Sequence, residues 1–545
     1  MCSSSDRWGS MSVMVKVRLG NRYGKPWSQF VNGYVKGFAF DDDQLLEGES
    51  LYEILFRSLC EDTLGQCLCR LNGNFSAILF DEHQTVLIAD KIRSYPLLYT
   101  FVQDECYVTD SGDTVLEHLA ECSLEESSLM EFLAIGYVSG GKTLIKGCGI
   151  VPASTYVQLR AKRIKEVPYF SIQSLTPIDV AAIDQSVDSV LERVMLRMRT
   201  VVGDRCILIP LSGGYDSRLI ACLCKKYQFR NVVCFTYGIR ENPEVLISKQ
   251  VAESLGFPWY FVAYDASKWQ HIVDSPLLEL YIRYAGNLNT TPHLQDFLAI
   301  HELLERGVVD ASSVVVPGHT GDVIGGSHLP KHIDAEHVAD CLLEKYGETN
   351  ILRKHYEQAL RLSIDKTVKQ GASLSSQEAC WQAFHAWNLS NRQANFIVNS
   401  VRAYEFQGLD WYLPLWDDEF ANFWNAIPCA ERVGSERYEN YLFSHFFEPY
   451  HVIYKKPLVA PIGMMSRIRS LVSPRYRYLI KHVLNRWGLY AFPPDGFALD
   501  LVAQMIHQRI PQKSHPYIYC SRMNSMAMKE LFYLDLLQNH VSNHP

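Results

Sequence analysis

Leu208-Ile209-Pro210-Leu211-Ser212-Gly213-Gly214-Tyr215-Asp216-Ser217-Arg218 carries the chain from an apolar run that begins at Cys206 into Leu219-Ile220-Ala221-Cys222-Leu223, which is apolar at helical spacing. The first run has the length of a buried strand and the second reads as the inner face of a helix. The loop between them is small and polar. Gly213 and Gly214 admit backbone close to a ligand where a Cβ would intrude, and Ser212 and Ser217 add hydroxyls beside the first free N–H groups of a helix. A helix N-terminus carries about half a positive charge, so the loop suits a phosphate or pyrophosphate. Asp216 would be repelled by that phosphate, and a divalent cation between the two anions removes the conflict. Two glycines after a strand make an ordinary turn; the full Ser-Gly-Gly-x-Asp-Ser string points to a phosphate loop. It is not the lysine-bearing kind, because Gly214 is followed by Tyr215-Asp216 and not by the Lys-[ST] of G-x-x-x-x-G-K-[ST], a string that occurs instead at Gly136 to Thr143.

Outward from this loop, strand and helix alternate. Asn231 to Tyr237 reads as a second buried strand, Glu244 to Leu255 as a helix, Trp259 to Ala263 as a third strand and Ser313 to Pro317 as a fourth. Such alternation predicts a doubly wound parallel sheet with helices on both faces and ligands at the C-terminal strand ends. Residues 1 to about 120 are different: short strand-like runs at 13–19, 32–38, 75–80 and 86–89 are broken by Gly, Asn and Asp, with one helical interval at 51–59. Residues from about 335 to 450 are helix-rich.

The chain has 545 residues, more than one core usually spans, so two or more domains are expected. A net charge of -8 argues against a general nucleic-acid partner. No apolar run approaches the roughly 18 to 20 residues of a membrane span, and the N-terminus lacks a signal pattern, so a cytoplasmic protein is expected. Fifteen cysteines sit mostly in apolar stretches; Cys67-Leu-Cys69 and Cys222-Leu-Cys224 lack zinc spacing, and buried reduced thiols are expected.

Ser212 to Ser217 resembles the pyrophosphate loop of ATP pyrophosphatases, which cleave ATP between the α and β phosphates and activate a carboxylate or carbonyl as an adenylate. Gly73 to Asp81, Leu87 to Lys91 and Tyr95 to Tyr99 resemble the second half of the glutamine amidotransferase domain that precedes the synthetase domain of asparagine synthetases. Gly136 to Gly147, with Ile150 to Ala153, resembles the linker between those domains, which implies domains at 1–170 and 171–545. Pyrophosphatases of the tRNA-modifying and NAD-forming kinds lack that preceding domain. The resemblance therefore implies an N-terminal β-rich, amidotransferase-like (Ntn-type) domain and an α/β ATP-pyrophosphatase domain with a helical C-terminal part.

It also implies chemistry. ATP would lie against Leu211, Ser212, Gly213, Gly214, Asp216, Ser217 and Gly318, with Mg²⁺ on Asp216 and on Asp322 of Gly318-His319-Thr320-Gly321-Asp322. His319 stands where asparagine synthetases have a glutamate, and Glu405, ahead of Leu413-Pro414-Leu415-Trp416-Asp417, resembles the family's distant glutamate; a His319–Glu405 pair is expected to deprotonate the attacking amine. Lys455, with Lys456 in reserve, resembles the lysine that stabilises charge on the phosphates. Cys2 occupies the position of the glutaminase nucleophile, but Met1 to Asp6 lacks the Cys-Gly-Ile opening and no R-G-P-D or N-G-E-x-Y-N string follows, so a degraded glutaminase is expected. The activity implied is an AMP-forming amide ligase acting on a small carboxylate: aspartate, a uronic acid of a surface polysaccharide, or a peptide-like acid. Ammonia or an amine would supply the nitrogen, a homodimer is compatible, and the alternative is a diverged nucleotide-binding relative with a regulatory role. The basic tract at Arg467 to Arg486 reads as a solvated helical face.

Overall fold

The computed structural model describes residues 14–454, with short breaks at 21–22, 104, 120–121, 161–162, 179–182, 348, 352–353 and 370–373, together with 496–499, 501–502, 505 and 518–520. Two sheets make up the N-terminal half. One runs β2 (Ser28–Phe30), β3 (Gly33–Asp41), β5 (Asn72–Phe80), β6 (Thr85–Ala89), β10 (Thr155–Arg160) and β11 (Arg163–Pro168), antiparallel throughout, with β4 (Gln44–Glu47) also on β3. The other has the order β1 (Met14–Arg18), β8 (Glu105–Thr109), β7 (Leu98–Val102) and β9 (Cys148–Ile150), with β1 and β8 parallel.

Period-two alternation assigns the faces. On β5, Phe75, Ala77 and Leu79 pack with Leu51, Leu55 and Leu68 of helices α1 (Glu49–Cys60) and α2 (Leu64–Arg70). Ile78, between them, turns the other way to meet Tyr99, Cys106 and Val108 of the second sheet. The outer face of that second sheet is covered in turn: Leu98 and Ile150 join one core with Val115 and Leu116 of α3 (Gly112–His118), Phe132 and Leu133 of α4 (Glu126–Ile135) and residues of the C-terminal half.

The second half is built on five parallel strands in the order β14 (Trp259–Ala263), β13 (Val232–Gly238), β12 (Ile207–Pro210), β15 (Val314–Val315), β17 (Asp410–Trp411). Helix α5 (Ile183–Val202) precedes β12, α6 (Tyr215–Lys226) follows it and α7 (Pro243–Leu255) joins β13 to β14. Leu208, Phe235, Val262 and Val315 belong to one core and Ile207, Ile209, Cys234 and Val316 to another, so the sheet is covered on both faces as doubly wound packing requires. The strand order reverses between β12 and β15, which makes the crevice above those two strands the site where such sheets take ligands. Helices from Val338–Tyr346 to Glu436–Leu442 complete the helix-rich part, and β16 (Thr349–Ile351) pairs with β18 (Ile518–Cys520).

The cysteines among the described residues are free, and no group of three or more metal-ligating side chains forms among those residues. No described helix is long and apolar enough to cross a membrane. One strand differs from expectation: of Ser313 to Pro317, only Val314 and Val315 pair within the sheet, because the chain turns at Pro317-Gly318 to bring the next loop over α6.

Candidate active site

A cavity of about 620 Å³ opens above the C-terminal ends of β12 and β15. The loop after β12 forms one wall and is fixed by its own serines. The Ser217 hydroxyl accepts the Ser212 N–H at 3.1 Å, the two serine hydroxyls lie 3.0 Å apart, and Ser212 Oγ accepts the Gly214 N–H at 3.1 Å. The Gly213 N–H donates to Glu244 at 3.4 Å. Leu211 is locked beneath, its N–H on the Phe235 carbonyl at 2.8 Å and its own carbonyl accepting the Thr236 hydroxyl at 2.6 Å. Gly214 caps α6, so the N–H groups of the first helical turn lie next to the cavity, which Tyr215, Asp216 and Ser217 line.

The loop after β15 closes against the first. A Cβ on Gly318 would stand 2.4 Å from the Ser217 nitrogen and 2.5 Å from the Asp216 carbonyl carbon, so only glycine permits this approach. Thr320 adopts φ 74°, a left-handed conformation that a β-branched residue rarely takes. Two hydrogen bonds hold it there: its hydroxyl donates to Gln393 at 3.0 Å and accepts the Trp416 indole N–H at 2.9 Å. The strained turn delivers Asp322, whose N–H donates to Asp216 Oδ2 at 2.7 Å. The Tyr438 hydroxyl donates to the other oxygen of Asp216 at 3.3 Å. Asp216 and Asp322 thus line one cavity from adjacent strand ends, the Asp322 carboxylate accepting the Ser327 hydroxyl at 3.2 Å and lying 3.6 Å from His328 Nε2. As hard oxygen donors they fit a divalent cation, but they form a half-set that the phosphate oxygens of a nucleotide would complete.

The structure does not bring the expected His319–Glu405 pair together. Glu405 is buried and fully committed to Arg402, to the Tyr284 hydroxyl at 2.6 Å and to the Trp411 indole N–H at 2.8 Å. The i, i+3 spacing of Arg402 and Glu405 on one short helix explains the capture. His319 does line the cavity, with Nε2 3.2 Å from Ser400 Oγ and a buried Nδ1 without a partner. Burial and the neighbouring His293 push its imidazole down to about 3, so it is neutral and weakly basic. The two residues therefore form no base pair, and no hydrogen bond joins them.

This histidine has a pH signature. Its folded pKa lies below the ordinary 6.5, so its contribution to stability is complete above pH 6.5 and declines as pH falls, because only the unfolded chain takes the proton. Between pH 7 and 5 that linkage amounts to about 2 kcal/mol. His319→Asn should flatten the loss of stability over this interval by that amount, measured by denaturant titration at each pH; an unchanged profile would place the His319 proton equilibrium elsewhere.

Arg392 was not legible as a site residue. It lies in a π-helix, Asn388–Ile397, and lines the cavity wall with its guanidinium 4.7 Å from the Tyr346 ring centroid and 5.8 Å from that of Phe396. No ion pair or hydrogen bond engages it among the described residues. In the sequence it looks like one polar residue among Asn391, Gln393 and Asn395; the only hint was a polar run inside an otherwise helical stretch, which a π-helix can turn towards a ligand. Asp296 is a second unforeseen group: it lines the cavity, accepts hydroxyl hydrogen bonds from Tyr237 and Tyr404, and is raised by burial above the usual carboxylate range.

Lys455, Lys456, the Arg467 to Arg486 tract and Cys2 lie outside the described residues. The chain just before Lys455 is tied to the loop. Buried Arg218 donates to the Val452 and Tyr454 carbonyls at 2.9 and 2.7 Å and to the Gly213 carbonyl at 3.2 Å, and its guanidinium lies 4.9 Å from the centre of the Phe447 ring.

The family model described as asparagine synthase matches residues 187–452, and that described as glutamine amidotransferase domain matches 40–170. Asparagine synthetase [glutamine-hydrolyzing] of Homo sapiens is 20% identical over 507 residues, covering 88% of this chain and 77% of its own. The Bos taurus protein of the same name is 21% identical over 503 residues with the same shares. Among solved structures, a glutamine-dependent NAD(+) synthetase from Cytophaga hutchinsonii has 10% identity and a TM-score of 0.22, covering 73% of this chain and 91% of its own. The NH3-dependent NAD synthetase from Campylobacter jejuni has 17% identity and a TM-score of 0.19, covering 27% and 61%. An amidotransferase-like half matched over 40–170, followed by a parallel-sheet half matched over 187–452, makes the chain asparagine synthase-like.

Proposed function

We propose that the protein is an ATP-dependent, AMP-forming amide ligase that adenylates a small carboxylate and transfers an amine or ammonia to it. The convergence of Asp322 on Asp216 beneath the Ser-Gly-Gly loop carries this reading. The acid's carboxylate oxygen attacks the α phosphorus of ATP, the bond to the bridging oxygen breaks, and pyrophosphate leaves. The amine nitrogen then attacks the acyl carbon, AMP departs with the electron pair of the broken carbon–oxygen bond, and the nitrogen gives up its proton.

The chain's own groups have separate parts in this scheme. The Ser212 to Ser217 loop and the N-terminus of α6 hold the leaving pyrophosphate, and Gly318 keeps the opposite wall within backbone reach. Asp216 and Asp322 would hold Mg²⁺, which when bound neutralises charge on the phosphates. Lys455 is proposed to stabilise the same charge, as the resemblance of Tyr454-Lys455-Lys456-Pro457 to the family's lysine segment implies. His319 positions rather than deprotonates, because a neutral, weakly basic imidazole hydrogen-bonded to Ser400 is a poor proton acceptor. We assign residues 1–170 to a degraded amidotransferase-like domain and 171–545 to the synthetase. The nitrogen would then arrive as an amine or as ammonia, not from glutamine through Cys2.

Arg392 is the group placed to hold the acid's negative charge. Charge-assisted hydrogen bonds contribute about 1.5 to 3 kcal/mol, so Arg392→Met should raise KM for the acid about 10- to 100-fold while KM for ATP stays within about twofold. A rise confined to the ATP KM would assign Arg392 to the phosphates. The function itself is tested by mass spectrometry of incubations containing ATP, ammonia and a panel of acids that includes aspartate and uronic acids. AMP and an amide should form together with one class of acid; ATP bound without AMP formation on any acid would favour the non-catalytic relative.

A further inference from the structure

A second cavity, of about 200 Å³, lies between the N-terminal sheets and the helices that carry Arg283 and Arg402. Lys36 on β3, which is only 6% exposed, lines it. Its ammonium rests 5.0 Å from the Tyr95 ring centroid and 5.9 Å from that of Trp27, and donates no hydrogen bond among the described residues. The carboxylates around it are already committed. Asp110 accepts the Gly20 N–H and the Trp27 indole N–H, both at 2.8 Å; Asp113 pairs with Arg283 at 3.3 Å; Glu405 is held by Arg402, Tyr284 and Trp411. Arg402, which also lines the cavity, has a buried Nε–H without a partner.

A buried ammonium without an acceptor is costly, and burial accordingly lowers the Lys36 pKa. The Lys36 ammonium and the Arg402 Nε–H thus leave donors without acceptors at one cavity, which an anion brought from outside would satisfy. The space is too small for a nucleotide, and Tyr95, Pro96, Leu280 and Tyr284 give it an apolar part beside the charged groups, which suits a carboxylate on a short organic tail.

We propose that this cavity binds a small carboxylate, of amino-acid size or below, on Lys36 and the free Arg402 N–H. The site is separate from the nucleotide cavity, and the inference does not depend on the ligase reading. Propionate serves as the probe and propionamide as its uncharged counterpart, with the full-length protein followed by thermal shift and isothermal titration against a chloride control. Propionate should raise the Tm saturably and propionamide should not. Lys36→Met, which keeps the stem and removes the charge, should weaken propionate binding at least tenfold, and Lys165→Met on the exposed edge strand β11 should leave it unchanged. Leu280→Trp, at the half-exposed rim, should block binding without touching Lys36, which keeps the test decisive if Lys36→Met fails to fold. Equal propionate binding by Lys36→Met or Leu280→Trp, or no shift of the wild type beyond that of chloride, overturns the proposal.

Discussion

Asp216→Asn should lower acid-dependent pyrophosphate–ATP exchange at least about a thousandfold while leaving the fold intact. The asparagine oxygen can still accept the Asp322 N–H that Asp216 now takes at 2.7 Å, and its size matches, so the turn that delivers Asp322 keeps its anchor. What is lost is one of the two negative charges that together attract a divalent cation. With the cation gone, Asp322 faces the phosphates directly and repels them, so ATP binding weakens as well as turnover. Asp322→Asn should behave alike but leave more residual exchange, because Asp322 is exposed whereas Asp216 sits in the loop wall. Unimpaired exchange in Asp216→Asn would remove the cation from the scheme.

Gly318→Ala should cost at least about a hundredfold in the same exchange, for a steric reason. The added methyl would stand 2.4 Å from one backbone atom and 2.5 Å from another, and neither belongs to a side chain that can swing aside. One loop must retreat by close to an ångström, which misplaces the α6 N-terminus against the pyrophosphate. Gly321→Ala is the companion case: its methyl would lie 2.7 Å from the Asp216 carboxylate and 2.7 Å from a Leu415 methyl, so it displaces the carboxylate itself. Both substitutions should reduce stability by about 1 to 3 kcal/mol, measured by denaturant titration. A Gly318→Ala protein with native exchange would mean that the two walls do not act at this separation.

The parallel sheet could be read from the sequence because its strands are buried on both faces and therefore appear as unbroken apolar runs, as in Ile207 to Pro210 and Val232 to Phe235. The hairpin of β10 and β11 could not. β11, Arg163–Pro168, is an exposed edge strand whose Arg, Lys and Glu show no apolar alternation. Within the site, Ser212, Gly214, Asp216, Gly318 and Asp322 were legible because backbone approach and paired charge restrict those positions to few residue types. Glu405 misled for the opposite reason. Its distance along the chain from the Pro414 turn suggested the cavity, whereas its direction was set by Arg402 three residues earlier and by Tyr284 more than a hundred residues away. Arg392 and Lys36 stayed hidden because an unpaired cation looks like any surface charge until the walls around it are known.

Exchange of labelled pyrophosphate into ATP, run across a panel of carboxylates without any amine, tests the central claim most directly, because it reports adenylation before a nitrogen donor is involved. The site described here predicts exchange that requires Mg²⁺ and one class of small carboxylate, and that is lost in Asp216→Asn. Exchange that proceeds without any acid, or its absence with every acid although ATP binds, would contradict that prediction.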